Sequence, residues 1–583
     1  MLQRDDSGGK NSMRTANGFR LACLALALAL VAVGCAGRDG DDGGDGVRGG
    51  TLRVLSADDI QGLDTAINYT PNGIAIARAY ARTLYSNNLA GPPDQVTAPV
   101  PDIASGPPQR SADQRTYTFR LRAGVRYAPP VNREVTAQDF ITAIQRLYDE
   151  QTPSSGQPYA NLISGARRFG AGKTTSISGL AAPDAHTLTI TLAKPAGDLL
   201  SILAMPMFAP VPGEYAANYA VGTNYSGHVV GSGPYTPTTY IPGRSIVLVR
   251  NPNWNPATDP LRKAWVDRIQ IALDVSISSI QQAIDQEEAD LSLDSHVPQT
   301  QLAALRADPQ RSRRLSVNPT GCLLFLTLGT HREAGAIADV RVRRAVNYAI
   351  DKAAYRDAVA GRFAPTGELA STILAPGSLG YHHYDLYPTP GGRGDPDKAK
   401  ALLAQAGYPN GLTLGFVTVG SGRYVAARKP IEESLARAGI ELKVTTYKGD
   451  DLWYKSLGVP AKRLEHQLGQ TIWCPDYLGD NGRGTIVPQY DSRIDPQVSG
   501  NFSEYHNPAV NRLIDRALAE PDQTRRATLW GEIDQRIMRD APLVPLLLES
   551  FSFQWASRVH GWRYDPWTVT PDLTAPWLDP PSP

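Results

Sequence analysis

An α/β protein of at least two lobes is predicted for this chain, on three observations. It has 583 residues, more than a single hydrophobic core ordinarily serves. Short runs with apolar side chains at every second position alternate with longer runs at helical spacing, the pattern of strands and helices stacked in α/β layers. The 46 prolines and 53 glycines are spread along the chain, which suits many short strands and turns better than a helical bundle. The 58 Lys+Arg nearly balance the 57 Asp+Glu, for a net charge of +1, and there is no long basic run, so nucleic acid is not expected as a partner.

The chain opens on a targeting segment. Arg14 and Arg20 precede the apolar run LACLALALALVAV, which at about 13 residues fits the core of a signal peptide and is short for a membrane span. Met13 is an alternative start. Residues 32–35, AVGC, resemble the lipobox of bacterial lipoproteins, with Ala32 in place of the usual Leu; the resemblance implies lipid on Cys35 after removal of residues 1–34. A plain secretory signal ending near a Cys is the alternative. Residues 35–50 are Gly- and Asp-rich and predict a hydrated tether, with the folded part starting near Thr51. Cys23 would leave with the signal and Cys35 would carry lipid, which leaves Cys322 and Cys474 as either a disulfide or two buried thiols in an oxidising compartment.

Along the folded part, RTYTFRLRAGV puts Tyr117, Phe119 and Leu121 on one face of a strand. The helix that follows starts with Thr136 and Asp139 as a capping box ahead of Phe140, Ile141, Ile144 and Leu147. HTLTITLAKP alternates at Leu188, Ile190 and Leu192, and SIVLVRNP and DRIQIAL are further strands. DVRVRRAVNYAIDKAAYRDAVAG predicts one helix with Asp339 at its start, Gly361 at its end and a stripe of Val342, Ala345, Val346, Ala349 and Ile350. DPDKAKALLAQAGY, with Asp395, Pro396 and Gly407, and NPAVNRLIDRAL, with Asn507 and Pro508, repeat that grammar. LTLGFVTV and ELKVTTY lie between them as strands, and the alternation predicts mainly parallel sheets.

No catalytic constellation stands out. The sequence has no G-x-S-x-G, H-E-x-x-H or G-x-x-x-x-G-K-[ST] motif and no Cys/His spacing of a zinc site. GSGPY at 231–235 lacks a phosphate-loop Lys and predicts a turn between strands. His382-His383, beside Tyr381 and Tyr384, has no third metal ligand at usable spacing.

Several stretches together are similar to one family, the bacterial extracellular solute-binding proteins of the peptide-importer type (solute-binding family 5). PDIASGPPQRSADQRTYTFRLRAGVRYAPPVNREVTAQDF resembles its signature around a Tyr-Thr-Phe strand. ADVRVRRAVNYAIDKAA, DPDKAKALLAQAGY, NFSEYHNPAVNRLIDRA and APLVPLL resemble further blocks in the family's order. One departure is APPVNREVTAQDF, where the family usually has Asp-Gly turn chemistry. The resemblance implies a two-lobed periplasmic-binding-protein-like fold with a hinge and an extra inserted subdomain. It implies lobe I from 51–88, 229–318 and 551–583, an insert at 89–228 and lobe II at 319–550, with ligand enclosed when the lobes close.

In oligopeptide-binding members a Trp-Cys-x-Asp-Tyr block supplies the Asp that receives a peptide's α-ammonium, and its Cys is bridged to another just inside lobe II. Trp473, Cys474, Asp476 and Tyr477 match that block, and Cys322 sits where the partner would be, so the resemblance implies a ligand site at these four residues and a Cys322–Cys474 disulfide. Gln470 stands where such proteins have a basic residue, and the resemblance carries no residue for the ligand's far end.

The implied function is a lipid-anchored, extracytoplasmic receptor for short peptides that serves the permease of an ABC transporter and uses no catalytic residue, metal or cofactor. The same fold holding a sugar, metal chelate or signalling compound is the alternative. An exported peptidase, or a structural or signalling lipoprotein, stands further off.

Overall fold

The computed structural model describes residues 46–583 except 93–94, 151–153, 361–366, 421–422, 449–450, 497–498 and 581–583. The signal segment, Cys23, Cys35 and Gly361 lie outside the described residues.

Three sheets organise the chain, each with its own core. The first has the order Leu291–Ser292, Thr51–Leu55, Arg268–Ala272, Ser245–Arg250, Tyr235–Ile241. Leu52 and Val54 stand beside Ile269 and Ile271 on its buried face, because period-two alternation puts all four on one side. Helix Pro71–Tyr80 packs over them, and Ala556, Val559, Leu573 and Leu578 from the far end of the chain complete the core. The second sheet is wholly antiparallel: Gln109–Arg110, Thr116–Arg120, Thr187–Thr191, Leu180–Asp184. Tyr117 and Phe119 face Ile190 and Leu188, and helix Ala137–Arg146 covers them with Phe140 and Ile144. The expected capping box is present there: the Thr136 N–H donates to the Asp139 carboxylate at 2.8 Å, and Arg133 holds the same carboxylate at 2.7 Å.

The third sheet, Gly367–Leu369, Leu543–Gln554, Leu315–Leu328, Leu468–Trp473, Leu412–Val419, Ile440–Tyr447, carries the largest core. Its two long strands, Leu315–Leu328 and Leu543–Gln554, are antiparallel partners that reach out of this core toward the first. Gln554, opposite Leu315, accepts a hydrogen bond from Gln281 at 3.0 Å, and Trp555 bridges to Leu291. The pairing register slips between Pro319 and Leu323, where Gly321 takes a φ of +73°.

Two expectations are corrected. The sheets are mixed rather than mainly parallel. Among the described residues, only Thr51–Leu55 with its two neighbours, and Leu412–Val419 with its two, pair in parallel; the other described pairs are antiparallel. Short turns, as between Ile241 and Ser245, make hairpins, and antiparallel pairing follows from them. The single helix predicted for 339–361 is two helices, Val340–Ala349 and Lys352–Ala360. Ile350 is extended (φ −69°, ψ 125°), the Asp351 N–H donates to Ser434 Oγ at 3.1 Å, and the Asp351 carboxylate caps the second helix at the Ala354 N–H, 2.8 Å away. The other predicted caps are in place: Asp339, Asp395 and Asn507 each accept first-turn N–H groups, and Gly407, at φ +98°, closes its helix.

Candidate functional site

The stretch IWCPDY begins in the last two residues of strand Leu468–Trp473, one of the two central strands of the third sheet, and runs past its end. Trp473 is the last residue of its strand and lies opposite Leu323. The next residue, Cys474, is disulfide-bonded to Cys322, the residue before Leu323, so the covalent link pins the strand end from which Pro475 and Asp476 turn away. The Trp473 indole N–H donates to the Gly484 carbonyl at 3.0 Å and binds this turn to helix Gly482–Tyr490.

Asp476 is part-buried, and residues far away in sequence hold it. The hydroxyls of Tyr69 and Tyr159 both donate to its carboxylate, one to each oxygen. The Trp567 indole N–H donates to its carbonyl at 2.6 Å. Burial pushes the pKa of Asp476 up, and the two phenols pull it back only in part; among the described residues no cationic side chain acts on it. Both tyrosines are themselves raised, first by burial and then by the adjoining carboxylate.

The neighbouring carboxylates are differently served. Asp198 accepts from Arg483 at 2.6 and 3.0 Å and from the Tyr477 hydroxyl at 2.8 Å. Burial alone would raise its pKa, and the guanidinium with the phenol reverses that, leaving it below the usual carboxylate range. Asp480 accepts from Arg526 at 2.7 Å, and burial still leaves its pKa raised. Gly197 is the residue that lets the Asp198 segment approach, since a β-carbon there would collide with the Arg526 guanidinium.

The residues expected from the sequence are thus brought together at one turn, with partners the sequence did not indicate. The groups bonded to the Asp476 carboxylate are Tyr69 and Tyr159, while Tyr477 meets the Tyr159 ring edge-on at 6.1 Å and turns its hydroxyl to Asp198. Gln470 lies in the core, where it accepts from Thr418 Oγ1 at 2.6 Å and donates to Tyr355 at 3.1 Å. No local pattern marks Tyr69, Tyr159, Asp198, Arg483 or Trp567. GSGPY is a bend leading into a strand, its Gly233 N–H bound to the Tyr80 carbonyl at 2.8 Å. His382 pairs with Gln535, Nε2 to Nε2, at 2.6 Å. Among the described residues, no group of three His, Cys, Asp or Glu side chains is set to hold a metal, and no helix is long and apolar enough to cross a membrane.

Separate sheet cores joined by two long strands and meeting on enclosed carboxylates define a two-lobed binding protein of the periplasmic type. The model of the bacterial extracellular solute-binding proteins, family 5 (middle region), matches residues 98–483. The chain belongs to that family, whose members bind solutes and are not enzymes. Its solved relatives include the clavulanic acid biosynthesis oligopeptide binding protein 2, 31% identical, with a TM-score of 0.84 over 91% of this chain and 96% of that one. Di/tripeptide-binding protein 2 of Pseudomonas aeruginosa is 26% identical over 535 residues, 88% of this chain and 93% of that protein. Heme-binding protein A of Haemophilus influenzae is also 26% identical, over 78% of this chain and 80% of that protein.

Proposed function

We propose that this protein is a lipid-anchored receptor of an ABC importer that encloses short peptides between its lobes and hands them to a membrane permease, with Asp476 as the acceptor of the peptide's α-ammonium. The observation that carries the reading is the contrast among three enclosed carboxylates. Asp198 and Asp480 each have an arginine, whereas Asp476 has two phenols and, among the described residues, no cation. A carboxylate withdrawn from water and left without a counter-charge is a site made for a cationic group supplied from outside. Relatives named for binding di-, tri- and oligopeptides support an ammonium as that group. The proposed lobes follow the cores: 51–88, 229–318 and 551–583 around the first sheet, the insert 89–228 around the second, and 319–550 around the third. The register slip at 319–323 serves as part of the hinge.

Asp476→Asn keeps the shape and removes the charge. Removing one partner of such a desolvated pair costs about 2 to 5 kcal/mol, or roughly 30-fold to several thousand-fold in affinity. Titration calorimetry of the parent and the variant, each with a free and an N-acetylated peptide, forms a double-mutant cycle. Acetylation is expected to weaken the parent strongly and the variant little. Additive losses would mean that Asp476 does not hold the ammonium; no sensitivity to acetylation in either protein would point to another class of solute.

A further inference from the structure

Asp476 is met by neutral donors from two other parts of the fold. Tyr69 stands just ahead of helix Pro71–Tyr80, its own N–H fixed on Gln61 Oε1 at 2.9 Å. Tyr159 stands on the short helix Gln157–Ala160, buried in the second core. Each hydroxyl donates to a different oxygen of the Asp476 carboxylate. An ionised carboxylate offers about four acceptor positions, so about two are left for a ligand.

What the phenols add is ionisation without a counter-charge. Burial favours the protonated carboxyl, and a protonated Asp476 offers an ammonium no charge to pair with. A proton on either oxygen weakens the bond that oxygen accepts, so both phenols oppose it. The phenols themselves keep their protons at ordinary pH, because burial and then the adjoining carboxylate push their own pKa values up. Asp198 shows the other arrangement: Arg483 keeps it ionised and at the same time cancels its charge. The charged and titratable groups beyond the phenols are committed elsewhere. Tyr477 meets the Tyr159 ring and Arg483 acts on the Tyr159 hydroxyl, but both are bonded to Asp198, and Asp480 is bonded to Arg526. The Trp567 indole, which donates to the Asp476 carbonyl, carries no charge.

We propose that Tyr69 and Tyr159 are positioning residues that hold Asp476 ionised for the ligand's ammonium while leaving its charge uncancelled, so that peptide capture persists into mildly acidic surroundings. This inference rests on the peptide reading of Asp476.

The test is titration calorimetry of Ala-Ala-Ala between about pH 4.5 and 8 with the parent, Tyr69→Phe, Tyr159→Phe and Asp476→Asn. Phenylalanine keeps the ring and deletes the donor. Expressing each variant's affinity as a ratio to the parent's at the same pH cancels the titration of the peptide's own amine. Loss of one donor is expected to move the acid limb of binding up by about one pH unit. The ratio should then fall to roughly one tenth at the acid end and return to within a few-fold of one near pH 8. Thermal unfolding checks that the variants are folded, and because the two tyrosines lie in different segments, one folded variant is enough to read the result. A ratio that does not change with pH signals lost packing alone and overturns the inference. If Asp476→Asn binds Ala-Ala-Ala as tightly as the parent, the Asp476 reading falls and takes this inference with it. If Asp476→Asn binds weakly while the phenylalanine ratios stay flat, only this inference falls.

Discussion

Asp534 illustrates how one buried side chain can fasten a loop and set a pH dependence. Its carboxylate accepts from the backbone N–H groups of Ile373 and Leu374 at 3.1 and 3.2 Å and from the Tyr384 hydroxyl at 2.7 Å, fixing the segment that follows strand Gly367–Leu369. Burial raises its pKa to about 6, against the lowering effect of Tyr384 and the two N–H groups. A carboxyl whose folded-state pKa is raised binds its proton more tightly in the folded than in the unfolded chain. Its contribution to stability is therefore fully present below about pH 4 and lost as pH rises through about 6. The loss is on the order of 3 kcal/mol. Urea unfolding between pH 4 and 7 should show this decline against the background of other groups, and Asp534→Asn, which cannot ionise, should flatten it. An unchanged profile in the variant would assign the dependence elsewhere.

At the scale of elements, the disulfide joins the two central strands of the third sheet at the end where Asp476 leaves it. It closes a loop with a sequence separation of 152 residues. The chain-entropy model gives such a link about 4 to 5 kcal/mol, an upper figure because the unfolded chain keeps some structure. Replacing Cys322 and Cys474 together by serine should lower the denaturation midpoint accordingly and raise the m-value through a more expanded unfolded state. Thiol titration of the denatured, unreduced soluble domain should find neither Cys322 nor Cys474 reactive. Two reactive thiols would show that the bond does not form in the exported protein.

At the scale of the whole molecule, Asp198 with Arg483 and Tyr477 clasps the second core to the third, and Gly197 lies against Arg526, which is paired with Asp480 within the third. Both salt bridges are largely withdrawn from water, so breaking the first by Asp198→Asn should cost the closed state about 2 to 4 kcal/mol. Ligand affinity should then fall 10-fold or more, equally for free and N-acetylated peptides, and small-angle scattering of the free protein should register a larger radius of gyration. A loss confined to free peptides would place Asp198 in ligand recognition instead. For the proposed anchor, Cys35→Ala should move the protein from the membrane to the soluble fraction, because the tether offers no other membrane-binding feature. Unchanged fractionation would remove the lipoprotein reading.

What could be learned from residue order alone was local. Alternation at Tyr117 and Phe119, caps at Asp139, Asp339, Asp395 and Asn507, and the block around Asp476 are short-range patterns whose physics is complete within a few residues. Strand direction was not of that kind, since it depends on how each connection runs. The break at Ile350 was half visible: Asp351 is a good cap, but the apolar stripe runs on past it, and Ser434 is what holds the backbone there. The partners of Asp476 were invisible. Tyr69 lies 407 residues away and Tyr159 lies 317 away, and a single phenol carries no mark in its neighbours of the carboxylate it will meet. Only the packing of separate cores brings them within hydrogen-bond distance, and the same packing leaves Asp476 without a cation among the described residues while Asp198 and Asp480 receive theirs.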